Sequence, residues 1–376
     1  MIIRRGKSWT FSIELGRDEN GKRVRRWSGG YATKREAAEA YNDAVSRLKR
    51  KEYVEPSHMT LAEYLVDEWL PATKAHVAES TFANYESTTR SYVIPQLGHR
   101  PLQQLATPEL NRFYAELLEN GRTQGDGGLS AKSVRNVHVV LRKSLEDAVD
   151  WSRLVHNPAA KAKSPRVQQR QMKTWTPYQV KVFLAAEKDS REFPIWRLAV
   201  TTGMRRSEVL GLSWDSLDLE EGRLSIRQSL VNVNNVPTLQ SDTKTASSRR
   251  LVNLDDLTVS VLKKHQTSQY EERLLAGSAW NNEHNLVFVS EIGEMLKPNR
   301  ITRIFKARVE DAGLPRIRLH DLRHTHASNA LQAGIHVKVV SERLGHANIG
   351  VTLNTYSHTI PAMDEQAAEL VASLYQ

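Results

Sequence analysis

Near the start of the chain, Trp9, Phe11, Ile13 and Leu15 alternate with polar neighbours. That is the period-two pattern of a strand with one buried face. Asp18-Glu19-Asn20-Gly21 supplies turn residues, so Lys22 to Ser28 reads as the returning strand of a hairpin. Gly29-Gly30 is expected to turn the chain again, toward a short third strand. The period then becomes helical. Thr33 and Glu36 make a capping-box pair, and Ala37, Tyr41, Ala44 and Leu48 share one face. Residues 1–56 therefore predict a small three-stranded sheet with one helix. Residues 58–157 keep helical spacing throughout. Thr60 and Glu63 form a second capping box, and Thr107-Pro108-Glu109 opens another helix. From about Ser130, Val134, Val137, Leu141, Leu145 and Val149 mark one face of a long helix that His156-Asn157-Pro158 ends. Residues 158–173 are polar and basic, with the composition of a linker. In 174–376, Thr176-Pro177 starts a helix and Phe193 to Gly203 is mostly apolar. Leu224 to Asn235 and Arg250 to Leu254 alternate like strands around a polar turn, and the remainder is mainly helical. The expected class is multidomain α+β, with a small antiparallel sheet in the last, mainly α domain.

Composition narrows the possibilities. The chain has 376 residues, too many for one typical domain. No apolar run approaches the roughly 20 residues that cross a bilayer, and no secretory h-region opens the sequence. With no cysteine, disulfides, thiolate metal sites and a cysteine nucleophile are excluded. A cytoplasmic, nucleoid-associated protein is expected. The formal net charge is +10, and residues 1–56 hold 14 Lys and Arg against 8 Asp and Glu. A basic excess suits a polyanionic partner, because Lys and Arg displace counterions condensed on nucleic acid. Arg23, Arg25 and Trp27 share the strand face opposite Val24. A ribbon of that kind can enter a major groove, and a solubilising charge run is the equal alternative. Lys161, Lys163 and Arg166 could likewise track a phosphate backbone.

Three segments of the last domain carry the chemical signal: Thr202-Gly203-Met204-Arg205-Arg206-Ser207-Glu208, His320-Asp321-Leu322-Arg323-His324, and Leu344-Gly345-His346 followed by Tyr356. In this order they resemble the tyrosine recombinase, or phage integrase, family. The family's pattern is an Arg after Thr-Gly-x, then His-x-x-Arg, Leu-Gly-His and a Tyr about one helix further on. Lys244, in Thr243-Lys244-Thr245, matches the family's hairpin lysine. The helical segment 58–157 resembles its core-binding domain, and 1–56 the arm-binding domain of some phage integrases. The resemblance implies a site-specific recombinase that cuts and rejoins DNA through a 3′-phosphotyrosine bond to Tyr356, without metal, nucleotide or other cofactor.

The chemistry suits those residue types. Attack on a phosphodiester builds charge on the non-bridging oxygens, and guanidiniums grip those oxygens more strongly in the transition state. The resemblance gives that role to Arg205, in preference to its neighbour Arg206, and to Arg323. A phenol is a sluggish nucleophile until deprotonated and a fair leaving group afterwards, which suits a reversible intermediate. Lys244 is the candidate general acid for the 5′-oxygen. His320 would take or steer the tyrosine proton, and His346 would hydrogen-bond a phosphate oxygen. Glu208 would orient its basic neighbours. A metal cluster of His320, His324 and His326 is the competing reading. It lacks an acidic partner motif, so His324 and His326 are expected as supporting residues.

Alternatives remain at this stage: a chromosome-dimer resolvase or transposon integrase of the same family, a type IB topoisomerase, or a DNA-binding module that has lost catalysis. Core-type and arm-type duplex sites, an accessory DNA-bending protein and a directionality factor are the expected partners. Ala367, Leu370, Val371 and Leu374 form an apolar stripe near the C-terminus. Packing on its own domain is the commoner fate of such a stripe, whereas the resemblance implies docking on the next protomer of a tetramer assembled on paired DNA.

Overall fold

The computed structural model describes residues 2–17, 22–49, 54–168, 172–241, 250–356 and 371–375. It divides into two compact units, 1–168 and 169–376.

The first unit opens with β1 (Ile2–Arg5), β2 (Ser8–Arg17) and β3 (Arg23–Tyr31), an antiparallel sheet in that order. The third strand of the sheet is thus Ile2–Arg5, ahead of the hairpin and not after it. Gly29 and Gly30 do not turn the chain but lie inside β3, beside a register shift at Trp9/Thr10. Gly6, at φ +61°, closes the β1–β2 turn, a left-handed position that favours glycine. β1 escapes a periodicity reading because four residues hold too few alternations to register. Helix α1 (Lys34–Lys49) is capped as expected, with Thr33 Oγ1 accepting from the Glu36 N–H at 3.1 Å. It covers Phe11 and Ile13, and Phe11 meets the rings of Tyr31 and Tyr41.

Helices fill the rest of the unit. α2 (Leu61–Glu63) runs through a wide π-type stretch, Tyr64–Trp69, into α3 (Leu70–Lys74). α4 (Glu79–Thr88) passes through a second such stretch, Thr89–Val93, into α5 (Ile94–Leu97). A proline, Pro71 or Pro95, follows each stretch. A proline ring clashes with the carbonyl one turn back and has no N–H to give it, so a locally widened helix accommodates both defects. α6 (Thr107–Asn120) and α7 (Ala131–Asp150) complete the packing, with Val134, Val137, Leu141 and Leu145 buried as their spacing predicts. Tyr64 donates to the Ser144 carbonyl at 2.7 Å and Trp69 to Asp147 at 2.8 Å, so the aromatic core leaves no polar edge unsatisfied there. The basic stretch after α7 starts as part of this packing. Thr107 Oγ1 donates to the Pro158 carbonyl, Asn111 takes the Lys163 N–H, and Ala159 is buried.

The second unit contains α8 (Pro177–Glu187), α9 (Phe193–Thr202), α10 (Arg206–Leu210), β4 (Leu217–Asp218), β5 (Arg223–Ile226), β6 (Gln228–Val233), β7 (Val236–Ser241) and β8 (Arg250–Asn253). After these come α11 (Asp256–Ala276), α12 (Pro298–Asp311), α13 (Asp321–Gln332), α14 (Val337–Leu344) and α15 (Ile349–Tyr356). The expected strand from Leu224 to Asn235 is broken at Arg227. β5 joins the β4-β5-β8 sheet, whereas β6 and β7 pair separately across Asn234-Asn235. Both asparagines have positive φ, which a two-residue hairpin turn requires. Trp175, Phe183, Trp196 and Phe305 form an aromatic core under α8, α9 and α12. Residues 357–370, including Ala367 and Leu370 of the C-terminal stripe, lie outside the described residues; Val371 and Leu374 are exposed. No helix among the described residues is long and apolar enough to cross a membrane.

Candidate active site

The first motif is shaped by the end of α9. Gly203 stops that helix at φ +68°, and a Cβ there would stand 2.7 Å from both His326 and Leu344. Backbone angle and space therefore both demand glycine. The chain leaves the turn extended at Arg205, and the Glu208 carboxylate takes the Arg205 N–H at 2.8 Å. The same carboxylate pairs with Arg205 Nη1 at 2.6 Å and with Arg250 Nη2 at 2.8 Å. Glu208 is 2% exposed and Arg205 41%, so the carboxylate is sunk while one face of its partner reaches solvent. Burial alone would raise the Glu208 pKa; Arg250 and then Arg205 override that and hold it below the usual carboxylate range. Arg206 faces elsewhere, donating to Thr302 Oγ1 of α12 at 2.7 Å.

Arg323, on α13, is 3% exposed. Its Nη1 donates to the Gly203 carbonyl at 2.8 Å and its Nη2 to the Leu344 carbonyl at 2.7 Å. One guanidinium thereby joins the first and third motifs, with its buried charge met by carbonyl dipoles. Burial, then Arg205, lowers its pKa to about 10, which leaves it protonated near neutrality. α14 ends at Gly345, at φ +66°, and His346 follows with Nδ1 2.7 Å from Thr352 Oγ1. Burial and then Arg323, Arg205 and Arg250 depress the His346 pKa to about 4.

Tyr356 ends α15 and is 1% exposed, packed with Ala327, Leu331, Val340 and Leu344. Burial raises its pKa to about 12, with Arg323 opposing. Its hydroxyl stands 2.8 Å from Nδ1 of His324, not of His320, although His320 had been the expected proton acceptor. His320 and His324 meet edge to face at 5.2 Å between ring centres. Burial, then His320, lowers His324 to about 4, whereas burial and Arg323 lower His320. His326 points away, with Nδ1 2.8 Å from the Val200 carbonyl. Among the described residues no three His, Asp or Glu side chains gather as metal ligands would. Lys244 lies outside the described residues.

Arg250 is the residue that a sequence reading misses, and the contact of His324 with the Tyr356 hydroxyl goes beyond the supporting place expected of it. His324 had a signal in adjacency to the His-x-x-Arg motif. Arg250 had one in period: it shares the inward phase of β8 with buried Val252, whereas Leu251 is exposed. An arginine in the buried phase of a strand must find buried acceptors, and here they are the Glu208 carboxylate and the Arg343 carbonyl.

In the N-terminal sheet, Arg25 and Trp27 are exposed, and Trp27 carries the Arg5 guanidinium 4.5 Å over its ring. Arg23 pairs loosely with Glu14 at 3.5 Å. Lys161, Lys163 and Arg166 are exposed at the end of the first unit.

The second unit brings together a tyrosine, a histidine pair and clustered arginines, a set suited to chemistry on a phosphodiester. The family comparison makes that specific. Residues 173–362 match the phage integrase family, 60–118 the N-terminal SAM-like domain of phage integrases and 1–45 an arm DNA-binding domain. The chain belongs to the phage integrase family of tyrosine recombinases and is a site-specific DNA recombinase. It is 29% identical to a XerC-like tyrosine recombinase of Caldanaerobacter subterraneus subsp. tengcongensis, covering 99% of this chain and 98% of that one. It is 28% identical to an integrase of Streptomyces ambofaciens over 98% of this chain and 94% of the other. Its fold is similar to that of the Tn1549 transposon integrase in complex with transposon right-end DNA (TM-score 0.67, 19% identity, 83% of this chain and 100% of that one). It is also similar to a lambda integrase dimer bound to a core site (TM-score 0.57, 18% identity, 94% of each chain).

Proposed function

We propose that this recombinase is the integrase of a phage or other mobile element, acting through a 3′-phosphotyrosine intermediate on Tyr356. The observation that carries the reading is the joining of Gly203, Arg323 and Leu344 by one buried guanidinium, which brings the arginine, histidine and tyrosine motifs to one place. Arg205 and Arg323 would hold the non-bridging oxygens of the scissile phosphate, with His346 beside them. Tyr356 Oη attacks phosphorus, and the bond to the 5′-oxygen breaks. The phenol proton passes to the His320–His324 pair, and the departing 5′-oxygen takes a proton from Lys244. His324 already touches the hydroxyl, so it is a candidate first acceptor, with His320 behind it. Tyr356 is 1% exposed, so engagement of DNA would have to uncover its hydroxyl. The phosphotyrosine conserves the energy of the broken bond, so no nucleotide is required, and the guanidiniums would supply the cationic charge that a metal would otherwise bring.

The parts divide the work. Residues 1–56, with Arg23, Arg25 and Trp27, would hold arm-type sites, and the segments 58–157 and 174–376 would each bind core-site DNA. Lys161, Lys163 and Arg166 of the 158–173 stretch would follow a phosphate backbone. Four protomers meet on two duplexes, since each crossover needs two cuts on each duplex, and the C-terminal stripe would link neighbours. Accessory bending and directionality proteins would act on the DNA, in the cytoplasm of the host.

The test is a nicked core duplex, read from the junctions of the element with its host, from which the cleaved end diffuses away. Wild type should accumulate a covalent adduct, and Tyr356→Phe should bind equally and form none. An adduct that survives Tyr356→Phe refutes the assignment, and binding without any adduct favours a DNA-binding module without catalysis.

A further inference from the structure

Arg250 has been given no part in the reaction, yet its surroundings are those of a working residue. It is 7% exposed, and its two Nη atoms reach both oxygens of Glu208, at 3.2 and 2.8 Å. Its Nε donates to the Arg343 carbonyl at 2.6 Å. The guanidinium lies directly beneath Gly345, where a Cβ would stand 2.6 Å from Nη1. Gly345 is therefore small because Arg250 passes under it, as well as left-handed.

These contacts touch both sides of the phosphate site. Glu208 fixes Arg205 through the Arg205 N–H and Nη1. The 343–346 turn supplies the Leu344 carbonyl that holds Arg323, and it carries His346. A single carboxylate facing Arg205 alone would cancel its charge. With Arg250 on the same carboxylate, the trio keeps a net positive charge, and Arg205 is the member that reaches solvent.

We infer that Arg250 is a positioning residue for strand cleavage: it balances Glu208 and ties β8 to the 343–346 turn, so that Arg205 and His346 meet the non-bridging oxygens with the Arg205 charge available. The inference rests on the cleavage chemistry proposed above. Lysine cannot replace Arg250, because one ammonium does not span two carboxylate oxygens and a carbonyl at guanidinium spacing.

The experiment compares wild type, Arg250→Lys, Arg250→Met and Tyr356→Phe, all as full chains. Each meets the nicked core duplex carrying either the normal scissile phosphate or a methylphosphonate, in which one charged non-bridging oxygen is replaced by methyl. Binding by Arg250→Lys should stay within about threefold of wild type, and adduct formation on the phosphate should slow at least tenfold. On at least one methylphosphonate diastereomer the deficit should shrink to under about threefold, because less charge awaits the clamp. A general loosening of the fold would slow both substrates alike. The inference is overturned if either variant cleaves the phosphate at close to the wild-type rate. It is equally overturned if the deficit is the same on both linkages, or if both variants fail to fold. A wild type that forms no Tyr356-dependent adduct overturns the cleavage chemistry itself, whereas a wild-type adduct with unaffected Arg250 variants sinks only the role given to Arg250.

Discussion

His326 should make the second unit sensitive to mild acid. Its Nδ1 must carry the proton, because the Val200 carbonyl can only accept. That leaves Nε2 as a buried lone pair with no partner. Protonating it would put a charge among apolar atoms and near Arg343, so burial and then Arg343 lower the pKa from 6.5 to about 4. The folded value is below the unfolded one, so the unfolded chain binds the proton first as pH falls. Stability is therefore unaffected above pH 6.5 and is lost as pH drops from 6.5 toward 4. At pH 5 an ordinary imidazole is almost fully protonated and His326 only about a tenth so; at ~1.4 kcal/mol per unit the difference is about 2 kcal/mol. His326→Asn retains a donor for Val200 and cannot titrate. Its cost in lost ring packing is independent of pH. In urea unfolding of the full chain, the stability gap between wild type and His326→Asn should therefore shift by about 2 kcal/mol in the variant's favour between pH 7.5 and pH 5. Parallel pH profiles for the two proteins would refute the argument.

Two further outcomes follow from the proposed chemistry. Cleavage of the core duplex should continue in excess chelator; loss that zinc restores would instead make ligands of His320 and His324. Deleting residues 1–56 should spare core-site cleavage and lower integration between full attachment sites, with both binding modes weakening steeply as salt rises; equal loss of core cleavage would place those residues in the core clamp.

Much of the site is legible in the sequence because its motifs are local. Thr202-Gly203-Met204-Arg205 encodes a helix stop and an extended arginine within four residues, and the His320 to Arg323 spacing fits the start of one helix. What escapes reading depends on contacts between distant segments. His324 meets Tyr356 across 32 residues and Arg250 meets Glu208 across 42, distances over which period and spacing carry no information. The fold divides in the same way. The long apolar stripe of α7 is plain in the sequence, and Val134, Val137, Leu141 and Leu145 are buried where it puts them. β1 was not, because four residues before a glycine turn become a strand only through the register they share with β2.

If Tyr356 is the nucleophile and takes the 3′ end, digestion of the trapped adduct and mass spectrometry of its peptides should find a single modified peptide, with a 3′-phosphonucleotide on Tyr356 and a free 5′-hydroxyl on the released strand. A nucleotide on any other residue, or a linkage through the 5′-phosphate, would contradict that assignment.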